Sequence, residues 1–267
     1  MKNILNSSLI LAFGLFCAGC TVKKMETLKT NNVKDTNLDI YILMGQSNMA
    51  GRGPLTPDDN IIKNEKVLML TEDLKWVPAK NPIHFDKPGT SAVGPGLSFG
   101  LAMQSANKNI EIGLVPTAVG GTSINSWQPK GYDSETKKYP YDDAEKRIIE
   151  AMKTGTIKGI LWHQGESDSK PEAVAGYLAK LKVLINRVRT LVGNPNLPFI
   201  AGELGRYNTS FQTFNTEINK LPSEVPNTAV VSSEGLTDKG DNLHFTSASA
   251  ITLGQRYAEK MLLLQKK

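Results

Sequence analysis

Five short apolar runs punctuate the chain: Ile40-Tyr41-Ile42-Leu43-Met44, Ile112-Gly113-Leu114-Val115, Gly159-Ile160-Leu161-Trp162, Phe199-Ile200-Ala201 and Ala229-Val230-Val231. They are near-continuous rather than alternating, which suits strands covered on both faces, as in a parallel sheet. Amphipathic stretches lie between them. From 171 to 191 the apolar positions Val174, Tyr177, Leu178, Leu181, Leu184, Ile185 and Val188 step by three and four, which predicts one helix with a single buried stripe. Ser169 and Glu172 have the spacing of a capping box at its start. A second helix is predicted from about 247 to 264, with Ile251, Gly254, Ala258, Met261 and Leu262 on one side, and others near 97–107 and 141–152. Strand and helix alternating in this way predict an α/β protein: a three-layer α/β/α sandwich around a mostly parallel five-stranded sheet.

The N-terminus departs from this pattern. Met1-Lys2-Asn3 is a short positive start, and Ile4 to Phe16 is mostly apolar but too short to span a bilayer. It ends in Cys17-Ala18-Gly19-Cys20, so 1–19 reads as a secretory signal peptide with small residues before its cleavage point. Small residues directly before a cysteine resemble the lipobox of bacterial lipoproteins, although Cys17 stands where that pattern usually has Leu. The resemblance implies cleavage before Cys20, a lipid on its thiol, and a protein secreted across the inner membrane and anchored in a bacterial envelope, periplasmic or at the cell surface. The polar, patternless stretch 20–37 reads as a flexible tether, leaving one domain over 38–267.

Composition narrows the chemistry. Both cysteines of the 267-residue chain, Cys17 and Cys20, sit at this junction, so the domain has neither a disulfide framework nor a thiol nucleophile. The net charge is +5, but Lys and Arg are scattered beyond pairs such as Lys137-Lys138, which argues against a nucleic-acid partner.

Ligands of open α/β sheets bind at the carboxyl ends of the strands. Four predicted strand ends carry polar clusters: Gly45-Gln46-Ser47-Asn48, Gly120-Gly121-Thr122-Ser123, His163-Gln164-Gly165-Glu166-Ser167-Asp168, and Asp241-Asn242-Leu243-His244. Ester hydrolysis by a serine needs a base, a partner that fixes the base's tautomer, and preorganised donors for the oxyanion. Ser47 is the candidate nucleophile, His244 the base and Asp241 its orienting acid; Glu166 is the alternative acid. The backbone N–H groups of Ser47 and Gly121 and the Gln164 amide are candidates for the oxyanion hole. Gln46, Asn48, Gly120 and Asp168 are assigned to support or substrate contact, and Trp127 to stacking on a sugar or to the wall.

These four ordered blocks resemble those of the SGNH hydrolase superfamily, and more narrowly the carbohydrate esterase family six acetylxylan esterases and the sialate O-acetylesterases. The resemblance spans about 39–262. It implies a flavodoxin-like domain, no cofactor or metal, and acetylated carbohydrate as substrate: acetylated xylan or other hemicellulose, or O-acetyl sialic acid. Other readings stay open. Ser47 alone could be a helix cap. His163 with Glu166 invites a metal reading. An esterase of this fold could act on lipid or other acyl esters, and a glycan-binding lipoprotein could keep the fold without catalysis. A Gly-x-Ser-x-Gly elbow is absent around Ser47, where position 49 is Met.

Overall fold

The computed structural model describes residues 37–266. The expected leader (1–19), Cys20 and all but the last residue of the expected tether (20–37) lie outside that range. Among the described residues no helix is long and apolar enough to cross a membrane.

In chain order the elements are β1 (Leu38–Gly45), α1 (Ser47–Ala50), β2 (Val67–Leu70), β3 (Trp76–Pro78), α2 (Pro95–Ala106), β4 (Glu111–Pro116), α3 (Pro140–Ala151), β5 (Thr156–His163), α4 (Pro171–Val174), α5 (Tyr177–Val192), β6 (Phe199–Gly202), α6 (Gln212–Ile218), α7 (Leu221–Glu224), β7 (Thr228–Val231) and α8 (Ser247–Gln265). They form one seven-stranded sheet in the order β3-β2-β4-β1-β5-β6-β7, parallel throughout except for β3, which runs antiparallel to β2. The sheet thus has seven strands, not the five expected. The five apolar runs are its parallel core, and the additional pair is a short hairpin at the β4 edge.

The continuous apolar runs are explained by burial on both faces. Along β1, Ile40, Ile42 and Met44 pack with Tyr141, Ala144 and Ile148 of α3 and with Tyr177, Leu181, Leu184 and Val188 of α5. Tyr41 and Leu43, pointing the other way, pack with Leu97, Phe99 and Met103 of α2 and with Leu253, Tyr257 and Met261 of α8. Two buried clusters, one per face, make the three layers.

Two helical expectations are corrected. The predicted helix at 171–191 is two helices, α4 and α5, because the chain turns at Ala175-Gly176. The Ser169–Glu172 capping box does not form: Lys170 is the N-cap of α4, and the Ser169 hydroxyl donates to the Glu166 carbonyl instead. In α8, Ile251 is exposed rather than buried, and Leu253 and Tyr257 carry the packing in its place.

Candidate active site

β1 and β5 end side by side, with Gly45 aligned to His163. Gly45 has φ 132°, and a Cβ there would collide with the His163 carbonyl. Only glycine lets the chain leave β1 so close to its neighbour. Gln46 then places Ser47 as the first residue of α1. Ser47 does not cap that helix: Gln46 holds the cap position, with no side-chain cap bond.

The Ser47 hydroxyl lies 3.0 Å from His244 Nε2. His244 Nδ1 lies 2.7 Å from Asp241 Oδ2. Asp241 also accepts the backbone N–H groups of Leu243 (3.0 Å) and His244 (2.7 Å) through Oδ1. Burial alone would raise its pKa, but these hydrogen bonds outweigh it and hold the carboxyl down at about 2. An ionised carboxylate only accepts, so Nδ1 carries the imidazole hydrogen and Nε2 is left bare for the serine O–H. The His244 pKa lies below its ordinary value, because partial burial outweighs the pull of Asp241, and Lys239 and Arg52 add to the lowering. The imidazole is therefore poised in the neutral, proton-accepting form. A serine hydroxyl aimed at such a nitrogen can give up its proton as it attacks a carbonyl.

The loop carrying Asp241 and His244 is pinned from three sides. Asn48 Nδ2 donates to the Leu243 carbonyl (3.0 Å), and Asn48 Oδ1 accepts the Phe245 N–H (3.1 Å). The Tyr207 hydroxyl donates to the same Leu243 carbonyl. Asn48 adjoins Ser47 in α1, so one residue ties the serine's helix to the histidine's loop.

The Gly120–Ser123 loop is held as tightly. Asp86 Oδ2 accepts the Gly120 N–H (2.8 Å) and pairs with Arg52 at 2.7 Å, both side chains nearly sealed from solvent. Burial raises the Asp86 pKa, but Arg52 outweighs it and the carboxyl sits at about 2. A Cβ on Gly120 would strike Arg52 and approach the Ser47 Cβ to 3.3 Å, so glycine permits this packing of the loop against the serine. Asp168 accepts from Ser123 Oγ, the Ile124 N–H and Gln164 Nε2. Among the described residues, neither the Ser47 nor the Gly121 N–H has a protein acceptor.

One expectation is corrected here, and the open alternatives at Trp127 and Glu166 each fall to one side. The Gln164 amide is not free to bind an oxyanion. Its nitrogen lies within hydrogen-bond distance of Gln46 Oε1, the Thr122 carbonyl and Asp168 Oδ2, which already exceeds its two hydrogens, and the Tyr177 hydroxyl donates to its oxygen. Gln164 is a strut between three loops. Trp127 is 1% exposed, donates to Thr122 Oγ1 and lies edge-on to Trp162, so it is wall, not a stacking face. Glu166 does not reach His244. It accepts from Asn48 Nδ2 at 2.6 Å and lies 3.9 Å from His163 Nε2.

His163 and Glu166 form a second, sealed pair. Tyr257 donates its only hydroxyl hydrogen to the Trp162 carbonyl (2.8 Å) and lies 3.2 Å from His163 Nδ1, so Nδ1 is the donor there and Nε2 is bare. His163 Nε2 and Glu166 Oε2 both lack a partner. Burial pushes the His163 pKa down to about 3 and that of Glu166 up to about 7. The two are neutral over a wide range. Among the described residues no group of three or more His, Cys, Asp and Glu side chains is placed to hold a metal ion.

Arg52, Asp86, Tyr177 and Tyr257 all support the site without belonging to a sequence block. Their only signal in the chain is chemical: a buried Arg needs a carboxylate, and a buried Tyr needs a partner for its hydroxyl.

The model of the family described as carbohydrate esterase, sialic acid-specific acetylesterase, matches residues 37–263. A probable carbohydrate esterase of Arabidopsis thaliana is 34% identical over 242 residues, covering 84% of this chain and 90% of that protein. The crystal structure of the Arabidopsis protein superposes with a TM-score of 0.75, at 33% identity over 85% of this chain and 98% of the other. A carbohydrate acetylesterase from Xanthomonas citri shares the fold, with a TM-score of 0.64 at 17% identity, over 83% of this chain and 55% of the other.

Proposed function

This chain belongs to the carbohydrate esterase, sialic acid-specific acetylesterase family, and on that premise we propose that it is a serine esterase that removes O-acetyl groups from carbohydrate. The observation that carries the reading is the hydrogen-bonded series Ser47–His244–Asp241. Ser47 Oγ attacks the acetyl carbonyl while His244 Nε2 takes its proton, and Asp241 stabilises the imidazolium. The N–H groups of Ser47 and Gly121 receive the oxyanion, each worth roughly 3–4 kcal/mol to the transition state. As the tetrahedral species collapses, His244 returns the proton to the departing sugar hydroxyl, leaving acetyl on Ser47. Water gives a proton to the same histidine and attacks the acyl carbon, and His244 passes that proton to Ser47 Oγ as acetate leaves. No cofactor takes part. The acetylated sugar is a unit of xylan or other hemicellulose, or an O-acetyl sialic acid.

Ser47→Ala should lower acetate release from an aryl acetate and from acetylated xylan by roughly 10^4-fold or more, as loss of a serine nucleophile does elsewhere. Activity near wild type in that variant would sink the mechanism. The domain is secreted and held to a bacterial envelope by lipid on Cys20; mass spectrometry of the mature N-terminus tests this, and an unmodified Cys20 or a start at Thr21 would refute it.

A further inference from the structure

Beside the site lies a cavity of about 450 Å³, walled by Phe85, Asp86, Ala118, Val119 and Tyr139. That volume is within the roughly 300–1,000 Å³ of small-molecule sites. The two adjoin along the chain: Val119 lines the cavity and Gly120 packs against the serine, while Asp86, which also lines the cavity, accepts the Gly120 N–H.

Two large aromatic rings face solvent here: Tyr139, which lines the cavity, and Tyr132, which packs against Tyr139. Tyr139 is 45% exposed and Tyr132 51% exposed, and their centroids lie 5.1 Å apart. The loop between them is stiffened rather than loose. The Asp133 N–H donates to the Lys138 carbonyl at 2.9 Å, and Asp133 Oδ1 accepts both the N–H and the hydroxyl of Thr136. Lys138 Nζ ties the loop to the Asp86 carbonyl at 2.9 Å. A solvent-facing aromatic pair, held in place beside a cavity, is a surface on which a ring can be stacked at little ordering cost.

The charges of the cavity select the ring. Arg147 is committed to the wall: it donates to the Pro116 and Leu70 carbonyls and lies over the Phe85 ring. Lys138 is likewise engaged. The remaining cations, Lys137 and Lys146, share the cavity with Glu72 and Asp143. Donors and acceptors are interspersed, which matches the hydroxyls of a neutral sugar and offers no concentrated cradle for an anion.

We propose that this cavity, with Tyr139 in its lining and Tyr132 packed against it, is a subsite for a neutral sugar unit of a glycan chain whose acetylated unit lies at Ser47. The proposal rests on Ser47 being the esterase nucleophile, and it makes the substrate an oligosaccharide or longer chain rather than a free monosaccharide.

The test is the double variant Tyr132→Ala/Tyr139→Ala. Both side chains are exposed and Tyr139 makes no cap bond, so wild-type turnover of an aryl acetate serves as the folding control. KM for an acetylated xylo-oligosaccharide should rise roughly five- to ten-fold, the loss of one good aromatic contact, with aryl acetate and acetylated monosaccharide unaffected. Tyr139→Trp should retain the wild-type KM. An unchanged oligosaccharide KM overturns the subsite, and so does an equal loss on the monosaccharide, which would put the tyrosines in the primary site. Calorimetric titration with the deacetylated oligosaccharide gives an arm independent of catalysis. Weaker binding by the double variant supports the subsite even if the aryl acetate were not hydrolysed by wild type, a result that would count against the esterase reading alone; equal binding by both proteins overturns the subsite.

Discussion

Two acid–imidazole pairs sit where β5 ends and in the loop that follows β7 of this protein, at the same sequence spacing and with opposite electrical character. Asp241 and His244 are three residues apart and in contact at 2.7 Å; Glu166 and His163 are three residues apart and stand off at 3.9 Å. The first acid is held at about 2 by backbone N–H groups and its imidazole, and the second is pushed up to about 7 by burial. Spacing is therefore not what sets the charge state of such a pair. What differs is access to solvent and the supply of hydrogen-bond donors: the loop of Asp241 turns two N–H groups toward its carboxylate, whereas Glu166 receives one side-chain amide hydrogen and leaves Oε2 bare. An ionised acid beside a neutral imidazole can stabilise an imidazolium; a neutral acid in a sealed pocket cannot.

The sharpest test of that difference is to make each acid neutral. Asp241→Asn should cut kcat by about 10^4-fold, because an amide can present a hydrogen to Nδ1 and favour the wrong tautomer. Glu166→Gln, a change at an acid that burial keeps protonated up to about pH 7, should cost less than about ten-fold by the same reasoning when rates are compared at pH 6. Steady-state rates on one aryl acetate compare them directly. The reverse ranking would mean that the two pairs have been assigned the wrong way round.

Asn48 joins the two regions, and its removal is the intermediate case. Its amide nitrogen reaches both Glu166 and the Leu243 carbonyl, and its oxygen accepts the Phe245 N–H. Asn48→Ala should free the His244 loop and lower kcat by roughly 10^2-fold, the order expected when reacting groups drift by an ångström. KM should change little, since Asn48 is 3% exposed and sits behind the serine. A rise in KM with kcat intact would place Asn48 on the substrate instead.

How much of this was readable in the chain follows the range of the interactions. Runs such as Ile40–Met44 announce themselves because both faces of the sheet are covered, so every position is apolar. The β2–β3 hairpin escaped because an edge pair of four and three residues, with all of β3 half-exposed, lacks that continuity. Ser47, Asp241 and His244 stood out because each lies in a polar cluster after or between apolar elements. The role of Gln164 is not legible in the chain because it depends on Thr122, Gln46, Asp168 and Tyr177, which come from four different segments. No local pattern reports that convergence. The same holds for Asp86, which is brought to Gly120 across 34 residues from a loop with no periodicity. Glu166 was ambiguous in sequence for a further reason: whether it orients a histidine depends on burial, which the cluster His163–Asp168 does not encode by itself.

The last effect is on stability rather than rate, and it separates the pairs by pH. Glu166 has an ordinary pKa of 4.5 and a folded value of about 7. Between those values the unfolded chain has released this proton and the folded protein still holds it, so stability falls as pH rises through that window. At 1.36 kcal/mol per pKa unit, the fall attributable to Glu166 is of the order of 3 kcal/mol once pH exceeds the folded value. Asp241 works in the opposite sense and in a different place: its folded pKa lies below 3.8, so its contribution is present at neutral pH and is lost only as pH falls toward about 2. Glu166→Gln should remove the first dependence and leave the second. Gln also carries an amide hydrogen that can be turned to the bare His163 Nε2, which the ionised carboxylate cannot offer. Urea denaturation at pH 4.5, 6 and 8 should therefore show the variant gaining on wild type as pH rises, with the gain concentrated between pH 4.5 and 7. Parallel stability curves for the two proteins across that window would mean that Glu166 is ionised in the folded state, and the contrast between the pairs would reduce to distance alone.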